Sequence, residues 1–254
     1  MSIKTIAVTG KGGTGKTMIA SLLIRQLVKQ GGKKILVIDA DSAMSLPYTL
    51  GIDISGSVSK LRHELVGPEQ GRQMKRDGAL KDWIGSIVTH ADGFDLLVMG
   101  RPEEPGCFCA VNELLKYSIS TLADDYDLVI IDGEAGPEQL NRRVLPKIDV
   151  LLVVADMSAR SLATAGGILD VARAGENGIR VGRAGLVLNR VRGDEPNAEM
   201  LGKANADVIG WFPEDAELNR FDRDGNPLLN LPDSCECVQA ADKLLKSLFE
   251  EEDN

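Results

Sequence analysis

Three groups of residues in this chain have the types and spacing for chemistry. The first is Gly10-Lys11-Gly12-Gly13-Thr14-Gly15-Lys16-Thr17, which has phosphate-loop spacing: Gly, four residues, then Gly-Lys-Thr. The glycines let the backbone curl so that several N–H groups face one anion. A helix starting at the loop adds its dipole. Lys16 then neutralises the β- and γ-phosphates of a nucleotide, and the Thr17 hydroxyl takes a position on Mg2+. The second group is acidic. Asp39 ends the apolar run 33–39 with Asp41 two residues on, and Asp132 ends the run 126–132. Ligands of open α/β sheets bind at the C-terminal ends of parallel strands. Asp39 and Asp41 can flank Mg2+ and an attacking water there; either could instead cap the following helix. Asp132 is placed to accept a hydrogen bond from a magnesium-bound water or from Thr17. The third group is sulfur, in Cys107-Phe108-Cys109 and Cys235-Glu236-Cys237.

Prolines and a glycine in 101–109 keep the first cysteine pair out of helix and sheet. In extended backbone, residues two apart point the same way. The two sulfurs then form a pincer, and Phe108 packs oppositely. One pincer offers two ligands, whereas a two-fold dimer offers four thiolates, which suit flattened Ni2+ or tetrahedral Zn2+. Cys109 lies near a predicted helix start, which lowers a thiol pKa. The alternative is a pair of small buried hydrophobes. Cys235 and Cys237, in the first turn of a helix, have diverging sulfurs and read as structural. His63 and His90 read as bystanders.

Apolar runs at 6–8, 33–39, 94–100, 126–132, 149–156, 184–190 and 208–213 predict strands. Most have few polar positions, as parallel strands covered on both faces should. Helical periodicity follows the phosphate loop through Ile19, Leu23 and Leu27, and recurs at 57–65, 79–88, from Ala110, at 161–174 and at 235–249. Residues 67–78 read as an exposed polar loop carrying Lys75-Arg76. Strand-then-helix repetition predicts an α/β fold with a doubly wound, mostly parallel β-sheet and helices on both faces. No stretch reads as a linker, so 1–254 is expected to be a single domain.

A net charge of −9 argues against sequence-independent nucleic-acid binding and against adsorption to anionic membranes. The final helix also closes on Glu250-Glu251-Glu252-Asp253. No apolar run is long enough to span a membrane and no leader is evident, so a cytoplasmic location with reduced cysteines is expected.

Residues 11–17, KGGTGKT, match the pattern of the deviant Walker A P-loop ATPases, and the chain resembles that class of ATP-hydrolysing enzymes. The resemblance implies that Lys11 crosses a homodimer interface to the partner's nucleotide; otherwise it is a solvated lysine on a turn. It implies that Asp39 touches the magnesium shell, that Asp41 orients the water and that 133–136 is a flexible switch. It also implies that Gly12 to Met18, Asn189, Arg190 and Pro213 line the ATP, with Asn189 reading the adenine edge. Residues 100–116 with 131–136 are similar to the nickel-insertion ATPases of carbon monoxide dehydrogenase and the acetyl-CoA synthase maturation factor. That resemblance implies Ni2+ or Zn2+ held between subunits by Cys107 and Cys109, and a nickel-iron-sulfur client enzyme. Gly133 departs from the threonine common in the wider class. Two alternatives stand. An iron–sulfur reductase like nitrogenase iron protein needs a second cysteine beyond the switch, yet no cysteine lies between Cys109 and Cys235. A partition or positioning ATPase fits the acidic balance poorly.

Overall fold

The computed structural model describes residues 3–66, 80–101, 109–136, 147–175, 179–193 and 206–250. The apolar runs form the strands β1 (Thr5–Gly10), β2 (Ile35–Asp39), β3 (Thr89–Ala91), β4 (Phe94–Val98), β5 (Leu128–Ala135), β6 (Lys147–Asp156), β7 (Arg180–Val191) and β8 (Val208–Pro213). They make one sheet in the order β3-β4-β2-β5-β1-β6-β7-β8. Every neighbouring pair is parallel except β3–β4. That antiparallel edge was not anticipated. Strand β3 has three residues, too short for periodicity to register, and Gly93 turns it into β4 at φ 85.

Successive residues of the inner strands face opposite layers, as the pleat requires. Ala7, Leu36, Ile38, Val129, Ile131, Leu151 and Val153 pack on one side. There they meet helices α3 (Val58–Val66), α4 (Leu80–Ile87), α5 (Cys109–Leu122) and α6 (Ala159–Ala174). Ile6, Val8, Val37, Ile130, Leu152 and Val154 pack on the other. Their partners are α1 (Lys16–Gln30), α2 (Ser45–Leu50), α7 (Ala216–Asp224) and α8 (Glu236–Glu250). The core is therefore two layers separated by the sheet, and truncating one of these leucines to alanine costs about 2–5 kcal/mol.

Helix α7 was also not anticipated, because Leu218 is its only buried residue. Its local signals are nonetheless ordinary: Asp215 accepts from the N–H groups of Glu217 and Leu218, and Gly225 ends it in the left-handed region. Among the described residues, no helix is long and apolar enough to cross a membrane.

Candidate active site

Strand order puts the C-terminal ends of β2, β5 and β1 side by side, and Asp39 pairs in register with Asp132. Gly10 ends β1 at φ 148, and a Cβ there would lie 2.2 Å from the Val154 carbonyl oxygen. The loop that follows closes on the Lys11 carbonyl. That oxygen accepts from the Thr14 N–H at 3.4 Å, the Thr14 hydroxyl at 2.8 Å and the Lys16 ammonium at 3.4 Å. Gly15 caps α1 in the left-handed region, so Lys16 and Thr17 begin the helix at its positive end. Lys16 is 8% exposed.

Asp39 is wholly buried; it accepts from the N–H of Asp41 at 3.0 Å and of Leu46 at 3.2 Å. Burial, reinforced by the charge of Asp132, raises its pKa to about 7. Burial likewise raises Asp132 to about 7, against the pull of the Thr17 hydroxyl and the Lys16 ammonium. Both Asp132 oxygens are buried without a hydrogen-bond partner, so Thr17 acts from outside bonding geometry. A buried carboxylate in that position is costly unless a cation or donor arrives. The donors gathered here are a hydroxyl and two carboxylates, the hard oxygen set that Mg2+ takes. The orphaned oxygens of Asp132 fit such an ion. Asp41 accepts from the Ala43 N–H at 2.9 Å, which fixes its carboxylate in the loop after β2.

Residues 133–135, expected as a flexible turn, instead continue β5. The pairing of Gly10 with Ala135 extends the ladder, and the Gly136 N–H donates to the Gly10 carbonyl at 2.9 Å. Sequence reasoning passed over Glu134. It lies two residues after Asp132, and its Oε1 accepts from the Ser42 hydroxyl at 3.4 Å, joining the segments that follow β2 and β5. Its spacing from Asp132 was the available signal.

Lys11 is half-buried, and its charge acts on Asp156 at the end of β6. Burial alone would raise the Asp156 pKa; hydrogen bonds from Ser158, helped by Lys11, outweigh it and hold the carboxyl low. Met18 is partly buried behind the loop. Asn189 and Arg190, at the end of β7, contact the loop's backbone: Asn189 reaches the Thr14 carbonyl and Arg190 the Gly13 carbonyl. Pro213 pairs with Val191 at the end of β8. Gly12 and Gly13 are exposed at the loop's crown. The predicted nucleotide residues thus gather along one edge of the sheet.

The sulfur residues divide. Cys107 lies outside the described residues. Cys109 was expected in extended backbone just before a helix and reduced; it is instead the first residue of α5, exposed, with its sulfur in a disulfide. Among the described residues, no group of three or more His, Cys, Asp and Glu is placed to hold a metal ion. Cys235 and Cys237 are buried and free. The Cys235 thiol donates to Asp215 at 3.2 Å and the Cys237 thiol to the Pro213 carbonyl at 3.4 Å. Burial, with the Asp215 charge, raises Cys235 to about 11 and Cys237 further. His90, read as a bystander, lies on the edge strand β3 with its Nδ1 2.6 Å from Asp95.

Residues 5–228 match the family model described as the CobQ/CobB/MinD/ParA nucleotide binding domain. An uncharacterised ATP-binding protein of Methanocaldococcus jannaschii is 38% identical, over 96% of this chain and 98% of its own length. The carbon monoxide dehydrogenase accessory protein of Rhodospirillum rubrum is 28% identical, over 96% of each chain. A ParA family ATPase from Chlorobium tepidum superposes with a TM-score of 0.71 at 20% identity, covering 97% of this chain and 98% of its own.

Proposed function

Because the chain belongs to the CobQ/CobB/MinD/ParA nucleotide-binding domain family of P-loop ATPases, we propose that it is a nucleotide-switched homodimer whose cargo is a soft metal ion. Lys16 and the loop N–H groups hold the β- and γ-phosphates. Thr17, Asp39 and Asp132 would hold Mg2+, which would supply neutralisation of the charge on the phosphates. Asp41 orients the water whose oxygen attacks the γ-phosphorus; the β–γ bridging oxygen leaves with ADP. Lys11 adds a charge from the other subunit. The observation that carries the nucleotide part is the buried Asp132 carboxylate with neither oxygen partnered, beside Lys16 and Thr17.

The metal part rests on Cys109, exposed at the first residue of α5, two residues after Cys107. The likeness to a carbon monoxide dehydrogenase accessory protein over nearly the whole chain supports a maturation role toward a nickel-iron-sulfur enzyme. Two cysteines per chain make four thiolates per dimer, for Ni2+ or Zn2+, once the disulfide is reduced. Size-exclusion chromatography with elemental analysis tests this, on reduced wild type and Cys107→Ser/Cys109→Ser, with Mg-nucleotide and Ni2+. The expected result is about one nickel per two chains, absent from the double variant, because a four-thiolate tetrad is one site. Metal retained by the variant, or bound one per monomer, contradicts it.

The second reading, a partition or positioning ATPase without metal cargo, is supported by the MinD and ParA members named in the matching family model. Nucleotide-dependent co-sedimentation with DNA or anionic vesicles, with no metal bound by the reduced protein, would establish this reading over the first.

A further inference from the structure

We propose that the buried thiols of Cys235 and Cys237, together with Asp215, are positioning residues for the wall that receives the nucleotide's base. The proposal rests on the nucleotide reading, with Pro213 lining the ATP, and gives the second Cys-x-Cys pair a task in that site. Strand β8 ends at Pro213, paired with Val191 of β7, the strand whose end carries Asn189 and Arg190. Residues 213–215 then leave the sheet and enter α7.

This short segment is held from inside the protein. The Cys237 thiol donates to the Pro213 carbonyl at 3.4 Å, and the Glu214 N–H donates to the Val191 carbonyl at 2.9 Å. Those are the two polar groups of one planar peptide, so its plane is fixed. The Asp215 carboxylate is shared between two helix starts. Its Oδ1 accepts from the Glu217 and Leu218 N–H groups of α7 at 2.8 and 2.9 Å. Its Oδ2 accepts from the Cys235 thiol at 3.2 Å and from the Cys237 N–H of α8 at 3.4 Å. One carboxylate therefore caps both helices and ties their first turns together.

The protonation states suit this brace. Burial raises both thiols, Cys235 to about 11, so each keeps the hydrogen it donates. Burial alone would raise Asp215 as well, but hydrogen bonds from Leu218, Cys235, Cys237 and Glu217 outweigh it and keep the carboxylate charged. The next peptide is the one left open. Among the described residues, nothing bonds the Glu214 carbonyl or the Asp215 N–H. That peptide offers one acceptor and one donor, the kind of pair that reads a base edge. Fixing it before the ligand arrives removes an ordering cost and so raises affinity for the base.

The test is calorimetry with Mg2+ and two ligands, ATP and inorganic tripolyphosphate, on wild type, Cys235→Ala, Cys237→Ala and Cys237→Ser. Each alanine variant is expected to weaken ATP about threefold to tenfold, the worth of one hydrogen bond, and to leave tripolyphosphate within about twofold. Cys237→Ser keeps a donor and should recover part of the ATP affinity. Cys235→Val and Cys237→Val, which lack a donor but fill the space, replace an alanine variant that fails to fold and should weaken ATP alike. A merely structural role would lower the melting temperature and move the two ligands together. ATP affinity unchanged in the donor-less variants, both ligands weakened by one factor, or no recovery with Cys237→Ser would each overturn the brace. A wild type that binds tripolyphosphate as tightly as ATP would fail the reading of Pro213 itself and overturn the brace with it.

Discussion

The centre of the sheet and its β7–β8 side treat buried polar groups in opposite ways. At the centre, Asp39 and Asp132 lie side by side with raised pKa values, and neither oxygen of Asp132 has a partner. On the β7–β8 side, Asn189, Cys235 and Cys237 are just as enclosed, yet each bonds a named group of the chain. Buried polar atoms are normally satisfied, so an exception asks for a missing ligand. The comparison teaches that the central strand ends wait for a cation and phosphates, while the outer ones brace the walls around them. The cysteines repeat the lesson. Both pairs share Cys-x-Cys spacing and lead into helices, but Cys109 is exposed whereas Cys235 and Cys237 are buried donors.

The largest expected effect is at the centre. Lys16→Ala removes a charge that meets several phosphate oxygens and should weaken Mg-ATP about 1,000-fold or more by calorimetry. Unchanged affinity would erase the contrast, because the centre would then be as structural as the edge. Asp41→Asn should leave ATP affinity within a few-fold and slow steady-state hydrolysis by about 100-fold or more, since only the water-orienting step is lost.

The next test uses acidity. Folded Asp39 and Asp132 keep protons up to about pH 7, whereas the unfolded chain releases them near 3.8. That contribution to stability is fully present below the unfolded value and lost as pH rises through the folded one. Between about pH 4 and pH 7, the ligand-free chain should lose several kcal/mol through these two groups, on the order of 4 kcal/mol each at most. Asp132→Asn should flatten the slope in denaturant melts, and Mg-nucleotide should offset it; a slope unaltered by both contradicts the orphaned carboxylate.

The smallest effect belongs to the edge. Cys237→Ala leaves the Pro213 carbonyl without its thiol and should cost about 1–2 kcal/mol of stability. Cys237→Ser, which keeps a donor, should recover part of it in the same melts, with the kcat for ATP unchanged in both. A matching loss of kcat would make this pair part of the chemistry.

Much of this was legible beforehand because it depends on short-range pattern. The phosphate loop is contiguous, and the apolar runs ending on Asp39 and Asp132 placed Asp39 at the end of β2 and Asp132 in β5, three residues short of its end. What stayed hidden depends on distant pairing. Nothing local says that Asn189 would spend its amide on Thr14, 175 positions away. Residues 133–135 look like a turn by composition and are a strand because Gly10 pairs with Ala135. Strand β3 and helix α7 bury too little apolar surface to leave a periodic trace.

The central claim is a dimer closed by nucleotide, and Lys11 tests it most directly. In the single chain its charge acts on Asp156 of its own subunit. Sedimentation velocity with Mg2+ and a non-hydrolysable ATP analogue should convert the wild type from monomer to dimer. Lys11→Ala should bind the analogue and remain monomeric. A Lys11→Ala variant that dimerises fully and hydrolyses ATP at the wild-type rate would place Lys11 on an ordinary turn and contradict the account.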